Sequence, residues 1–338
     1  MLINDKGERF MEKYAPKVKD LASRDVTSRA MYLEMRDGLG IGGKRYLYLD
    51  MRPETVNKYA IADGRKRPDG TPYRVTGEEL LNKLPDIVDF ARTYLGVDPV
   101  SQPMPVQPTA HYAMGGIPTN KFGEVVIDEQ NTVLPGLYSA GEVACVSVHG
   151  ANRLGTNSLL DLIVFGKYAG LRAAEFANGA AFQALPPDAA DFARQQLEDI
   201  RSSDGEEKAY TIGNEMKSVM FDQVGVFRTE TGMQQALEKV RELKERIKHV
   251  RRPDSTKVFN TELLNIWELG NLLELAEVTT VSAISRLESR GAHAREDYPK
   301  RDDQEWLKHT LARTEDGKIR LAYKPVTITK YQPKERVY

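Results

Sequence analysis

His149-Gly-Ala-Asn-Arg-Leu-Gly-Thr-Asn-Ser-Leu-Leu160 is the stretch on which the reading of this chain turns. It sets one long cation, Arg153, in a loop of small residues just before a helix predicted over Asn157–Ala173. A helix start presents backbone N–H groups with no partner in their own helix, together with the positive end of the helix dipole. Those groups suit an anion or another electron-rich ligand edge. The arginine adds a planar fork that matches a carboxylate through two parallel bonds. Capping of a core helix by Asn157 or Ser158 would account for the polar residues. It does not account for an arginine between glycines.

Upstream, Gly136-Leu-Tyr-Ser-Ala-Gly-Glu142 reads as a buried strand ending in a small-residue turn and an acid, after a short strand over Glu124–Asp128. Such a strand can run beneath a cofactor, with Glu142 accepting hydrogen bonds from its hydroxyls. Any buried strand with a polar end would look the same. Residues 98–120 are nearly uncharged and rich in Pro, Gly and Thr. They cannot form a long helix, and an uncharged polar loop is expected to lie buried against something. Within them, Pro108-Thr-Ala-His-Tyr-Ala-Met-Gly-Gly116 carries His111 and a diglycine. A lone histidine is more often structural than catalytic, and the diglycine suits close backbone approach to a ligand or to another chain segment.

Towards the N-terminus, Asp25–Asp37 reads as a helix, with Asp25 as cap or first-turn acid and Arg24-Asp25 as a surface ion pair. Gly38-Leu-Gly-Ile-Gly-Gly43 matches a dinucleotide fingerprint formally, but a helix precedes it and a strand (Arg45–Met51) follows, which is the reverse of the required order. Arg45 also stands where a phosphate-binding loop needs Ser or Thr. The glycines are therefore a helix-to-strand link. Residues 62–77 are a polar, turn-rich loop, and a helix is predicted over Glu78–Tyr94 with a kink at Pro85.

From Ala189 the pattern is helical. Val240, Leu243, Ile247 and Val250 recur three or four apart. Thr261–Leu287 is the longest apolar-periodic helix, with Leu264, Trp267, Leu272, Leu275, Val278 and Val281 expected on its buried faces. Arg251-Arg-Pro-Asp-Ser255 joins the two helices, which predicts an antiparallel bundle. Residues 291–338 are strongly charged and are expected to end as an extended tail. The fold class expected from the whole is α+β (mixed).

Composition narrows the function. Among 338 residues, 48 Lys and Arg balance 49 Asp and Glu, without the basic excess usual in a nucleic-acid binder. A single cysteine, Cys145, excludes an intramolecular disulfide and any multi-cysteine metal or cluster site. The five histidines show no zinc-binding spacing, so no metal is expected. The densest apolar run, Leu159–Phe165, is broken by Asp161 and is far shorter than the ~20 residues a bilayer requires. The first ten residues carry four charges and no apolar core, unlike a secretory signal.

Taken together, these segments resemble the flavoprotein subunit of succinate dehydrogenase and fumarate reductase. Gly7-Glu-Arg-Phe-Met11, Ser23-Arg-Asp25, Pro108–Gly116, Gly136–Glu142, His149–Leu160, Glu288-Ser-Arg-Gly-Ala-His293 and Arg301-Asp-Asp-Gln-Glu-Trp306 match in collinear order across the chain. The resemblance implies FAD as cofactor and oxidation of succinate to fumarate, or the reverse. It implies Arg24 as proton carrier at the substrate carbon, and His111 and Arg153 as dicarboxylate holders. Glu142 would be the ribityl-binding acid, and Ser158 and Leu159 would supply the backbone contacts to the isoalloxazine. It also implies an iron–sulfur subunit and membrane anchor subunits as partners, and a cytoplasmic, peripheral location on the inner face of the cell membrane.

The family's FAD-pyrophosphate fingerprint, its flavin-linking histidine and its upstream substrate-binding segments find no match here, so the chain resembles only the C-terminal portion. The expected organisation is 1–105 as the remainder of a capping domain, 106–178 as the returning FAD-domain segment, 179–290 as a helical domain and 291–338 as a C-terminal domain. Two other readings stand beside it. One is a non-catalytic fragment or half of a split subunit. The other is L-aspartate oxidase, which shares the His-Tyr and His-Gly-Ala-Asn-Arg segments; Leu154-Gly155, Leu160-Asp-Leu162 and Met114-Gly-Gly116 favour the dehydrogenase side.

Overall fold

A computed structural model describes every residue except Arg252, Lys257 and residues 335–338. Part of the expected turn at 251–255 and the last four residues of the expected tail therefore lie outside the described residues. The chain forms two compact units, Met1–Ala110 and a second that begins at His111. Helix and strand are mixed in both.

The first unit holds β1 (Leu2–Ile3), α1 (Met11–Tyr14), α2 (Arg24–Arg36), β2 (Leu47–Leu49), α3 (Pro53–Ala62), α4 (Gly77–Lys83), α5 (Pro85–Phe90) and β3 (Met104–Val106). Strand β2 lies between β1 and β3, antiparallel to both. Leu2, Phe10, Met11, Ala15 and Leu47 bury against Ala30 and Met31 of α2. Asp25 is a first-turn acid that accepts from Ser23 Oγ at 2.7 Å and faces Arg29 at 4.0 Å. The glycine run links α2 to β2: a Cβ at Gly40 would stand 1.9 Å from the Lys44 carbonyl oxygen, so this bend needs glycine for sterics. The helix expected over 78–94 is broken in two. Pro85 disfavours helical geometry at the residue before it, and Leu84 stands at φ −134°, ψ 50°, so α4 ends at Lys83 and α5 starts at the proline. A capping box starts α4, with Glu79 N–H donating to Thr76 Oγ1 and Thr76 N–H donating to the Glu79 carboxylate.

The second unit holds β4 (Ile117–Pro118), β5 (Glu124–Val126), β6 (Val133–Tyr138), β7 (Ala144–Cys145), α6 (Asn157–Gly179), α7 (Asp191–Ser202), α8 (Ala209–Gln223), α9 (Glu230–Arg246), α10 (Thr261–Ser285), β8 (Lys308–Glu315) and β9 (Lys318–Pro325). Strands β4 and β7 pair in parallel, and β5 pairs antiparallel with β6. Ile212 and Met216 of α8, Val240 and Leu243 of α9, and Ile266, Leu269, Leu273 and Ala276 of α10 make one buried cluster.

Four expectations are corrected here. On α10 the buried face runs through Ile266, Leu269, Leu273 and Ala276, whereas Leu264, Trp267, Leu272 and Leu275 are exposed. This helix is apolar nearly all round, so periodicity alone could not fix its phase. The strand near Gly136 starts at Val133, ends at Tyr138 and is mostly exposed rather than buried. Residues 109–111, in the uncharged segment, are likewise exposed. Finally, 308–325 is an eight-pair hairpin rather than an extended tail, closed by Asp316-Gly317 with both residues at positive φ.

Candidate active site

The quoted loop and the start of α6 assemble on four neighbouring segments of the second unit. Thr156 precedes α6 at φ +66°, and its hydroxyl donates back to the Gly155 carbonyl at 2.6 Å, so no side chain caps this helix. The capping expected from Asn157 or Ser158 does not occur. The Leu159 N–H donates to the Thr156 carbonyl at 3.1 Å, while the Ser158 N–H has no acceptor among the described residues. One donor at the positive end of α6 is thus open.

Arg153, on the loop that precedes this helix, is half-buried. Its Nη1 donates to the Leu154 carbonyl at 3.2 Å, and its Nε is buried with no partner among the described residues. The guanidinium stacks over the Tyr112 ring, 4.3 Å from the centroid. Tyr112 in turn donates to Asp161 Oδ2 at 3.2 Å and stands 3.3 Å from His149 Nε2. His149 Nε2 lies 3.0 Å from the same Asp161 oxygen, and the two rings meet edge-on at 5.3 Å. With Nε2 directed at the carboxylate, His149 Nδ1 is buried and has no partner among the described residues. Burial, and after it the Asp161 charge, raises the Tyr112 hydroxyl above the usual tyrosine range.

Glu142 is exposed and accepts from the Ala113 N–H at 3.1 Å, which ties the turn after β6 to the His111 segment. The diglycine makes its close approach to the chain itself: a Cβ at Gly116 would stand 2.3 Å from the Val143 carbonyl oxygen. Thr119 Oγ1 and Ser139 Oγ, in the same unit, are buried without partners among the described residues. His111 is exposed at the start of this unit. Arg24 is exposed in the first turn of α2, in the other unit.

A second layer supports the arginine loop. The Ala292 N–H donates to the Ala151 carbonyl at 2.9 Å, and Gly291 packs so closely that a Cβ would lie 2.4 Å from that oxygen. The segment that carries these residues is anchored by buried Glu288, which pairs with Arg286 at 2.7 Å and Arg290 at 2.8 Å. Buried Arg295 pairs with Glu230 and Asp297.

The structure therefore brings Arg153, Ser158 and Leu159 together on one loop and helix start. It adds three residues that the motif reading passed over: Tyr112, His149 and Asp161. Their signal was available, since Asp161 interrupts the apolar run of α6 and an acid in that setting needs a buried partner.

Comparison with known proteins fits this arrangement. Residues 1–159 match the family model described as "FAD binding domain", and residues 213–338 match "Fumarate reductase flavoprotein C-term". The succinate dehydrogenase flavoprotein subunit of Rickettsia bellii is 43% identical over all of this chain and 55% of its own length. The 8-methylmenaquinol:fumarate reductase flavoprotein subunit of Wolinella succinogenes is 38% identical over all of this chain and 52% of its own length. The solved structure of E. coli quinol fumarate reductase FrdA superposes with a TM-score of 0.83 at 39% identity, covering 100% of this chain and 56% of that one. The chain thus spans about half the length of the curated relatives it matches. The chain belongs to the flavoprotein-subunit family of the succinate dehydrogenases and fumarate reductases.

Proposed function

We propose that this chain forms the dicarboxylate-binding part of an FAD-dependent enzyme that interconverts succinate and fumarate. One observation carries the reading: Arg153 presents a guanidinium with a buried, unpartnered Nε on the loop that leads to the open Ser158 N–H. Buried donors without partners are costly unless a ligand satisfies them. The residues present therefore fit an anionic substrate beside a flavin.

Bound FAD would supply the two-electron acceptor. Of this chain's own groups, the Arg153 fork and His111 would hold the two carboxylates; the proton-carrier role of Arg24 rests on the family resemblance alone. Glu142 would accept from the ribityl hydroxyls with the carboxylate oxygen that Ala113 does not use. Ser158 and Leu159 would supply the backbone contacts to the isoalloxazine, and of these two only the Ser158 N–H is available to donate. Positioning by two cationic clamps carries much of such a reaction. An iron–sulfur subunit and a quinone would be the onward electron acceptors. Membrane anchor subunits hold the assembly peripherally on the cytoplasmic face; no helix of the described residues is long and apolar enough to cross a membrane.

The test is flavin absorbance and succinate-dependent dye reduction by this chain co-purified with the polypeptide that supplies the rest of a relative's length. Turnover lost in Arg153→Ala and Arg24→Ala supports the reading. Absence of both flavin and turnover in the unaltered assembly refutes it, and turnover of L-aspartate in place of succinate would move the protein to the L-aspartate oxidases. A second reading, that the chain alone is non-catalytic, is favoured by α6, which leaves Leu159, Leu160, Leu162, Ile163, Val164 and Leu171 exposed. FAD retained by the isolated chain would contradict it.

A further inference from the structure

We infer that Asp161 is the positioning residue of this site: it fixes His149 and Tyr112, and through the Tyr112 ring it sets the orientation of the Arg153 guanidinium. The inference rests on the proposed role of Arg153 in holding a carboxylate.

The geometry is a closed set of contacts. Asp161 Oδ2 receives Tyr112 Oη at 3.2 Å and His149 Nε2 at 3.0 Å, and the tyrosine and histidine also touch each other at 3.3 Å. Asp161 is 5% exposed, so its single shared oxygen works in a medium where charge-assisted bonds are short and strong. The Tyr112 ring has one face under the arginine, 4.3 Å from Cζ. Among the described residues the Arg153 side chain makes one hydrogen bond, to the adjacent Leu154 carbonyl, which cannot fix a long side chain's direction. The stack is therefore what aims the fork. Because Asp161 belongs to the second turn of α6, the same helix that offers the Ser158 N–H also dictates where the cation points. His149, with Nε2 directed at Asp161, keeps its Nδ1 buried and unpartnered beside them.

The test reads the reactivity of Arg153 towards phenylglyoxal by peptide mass spectrometry on the full chain. Arg172, further along α6 and paired with Glu175, serves as the internal reference. Tyr112→Phe keeps the ring but removes its hydrogen bond to Asp161, and is expected to raise the Arg153 rate several-fold, as Asp161→Asn does. Tyr112→Leu removes the stack and is expected to raise it about tenfold, an effect the size of one cation–π contact. Asp161→Asn is expected to raise it several-fold while the Arg172 rate stays constant. If Asp161→Asn raises both rates, the fold has loosened and the Tyr112→Phe and Tyr112→Leu pair decides. An Arg153 rate equal to that of the unaltered chain in either Tyr112→Phe or Tyr112→Leu would overturn the inference. Succinate protection of Arg153 is measured in the same reaction. If protection is absent while the Tyr112 effects persist, the dicarboxylate reading fails and the positioning stands. If protection is present and the Tyr112 effects are absent, the reverse holds.

Discussion

Gly291→Ala should destabilise the second unit by about 3 kcal/mol, against about 1 kcal/mol for Gly317→Ala. Both glycines sit in the left-handed region, at φ +58° and +70°. An alanine there costs about 1 kcal/mol in either place. The difference lies in what surrounds them. Nothing lies within 4 Å of a Cβ at Gly317, whereas a Cβ at Gly291 meets the Ala151 carbonyl at 2.4 Å from oxygen and 2.5 Å from carbon. Non-bonded carbon contacts settle near ~3.5 Å, so the Ala151 backbone must retreat by about 1 Å. That movement stretches the 2.9 Å bond from the Ala292 N–H to the Ala151 carbonyl beyond useful length. Losing it costs about 1 kcal/mol, and residual overpacking costs about as much again. The assay is urea unfolding of the full chain, comparing midpoints at constant m-value. Arg153 follows Ala151 by two residues, so the same shift should lower turnover of the assembled enzyme by about a hundredfold. Equal destabilisation by the two substitutions would refute the contact argument.

His293 should make stability fall as pH drops from about 6.5 towards 4. Its Nδ1 accepts from Arg228 at 2.6 Å and its Nε2–H donates to the Arg286 carbonyl at 3.1 Å, while burial first, and then the Arg228 charge, push it down to about 4. The unfolded chain therefore binds more protons than the folded one across that window, and stability rises with pH there. His309, also lowered by burial, acts in the same direction. Urea midpoints at pH 7.5 and 5 should differ by about 2 kcal/mol for the unaltered chain and by clearly less for His293→Gln. On α10, Leu273→Ala should cost about 3 kcal/mol and Leu275→Ala almost nothing, because the first is fully buried and the second 62% exposed; comparable losses in thermal melts would contradict the assigned helix phase. Thr76→Ala should cost about 1 kcal/mol by opening the capping box of α4, with Thr76→Ser restoring most of it, as read from proteolytic nicking near residue 77.

How much of this was legible depends on how local each determinant is. The α2 start, the glycine link after it and the break at Pro85 are fixed by residues within a few positions, and their general placement could be read directly. The phase of α10 could not, because apolar residues surround that helix and only its packing against Val240 and Leu243 selects a face. The hairpin at 308–325 was marked by Asp316-Gly317, but its strands carry so many charges that no apolar alternation stands out. At the site, Arg153 announced itself by being out of place among small residues. Tyr112, His149 and Asp161 did not, because their meaning lies in contacts made across 12 to 49 positions of chain.

The outward-facing leucines of α6, with Leu134 and Leu137 of β6, also govern how molecules of this chain meet each other in solution. Apolar area in contact with water makes the pair potential between copies attractive. The osmotic second virial coefficient is then negative, and it becomes more negative on warming, since apolar association weakens in the cold. Light scattering that rises with temperature well below unfolding is the colloidal signature of that helix.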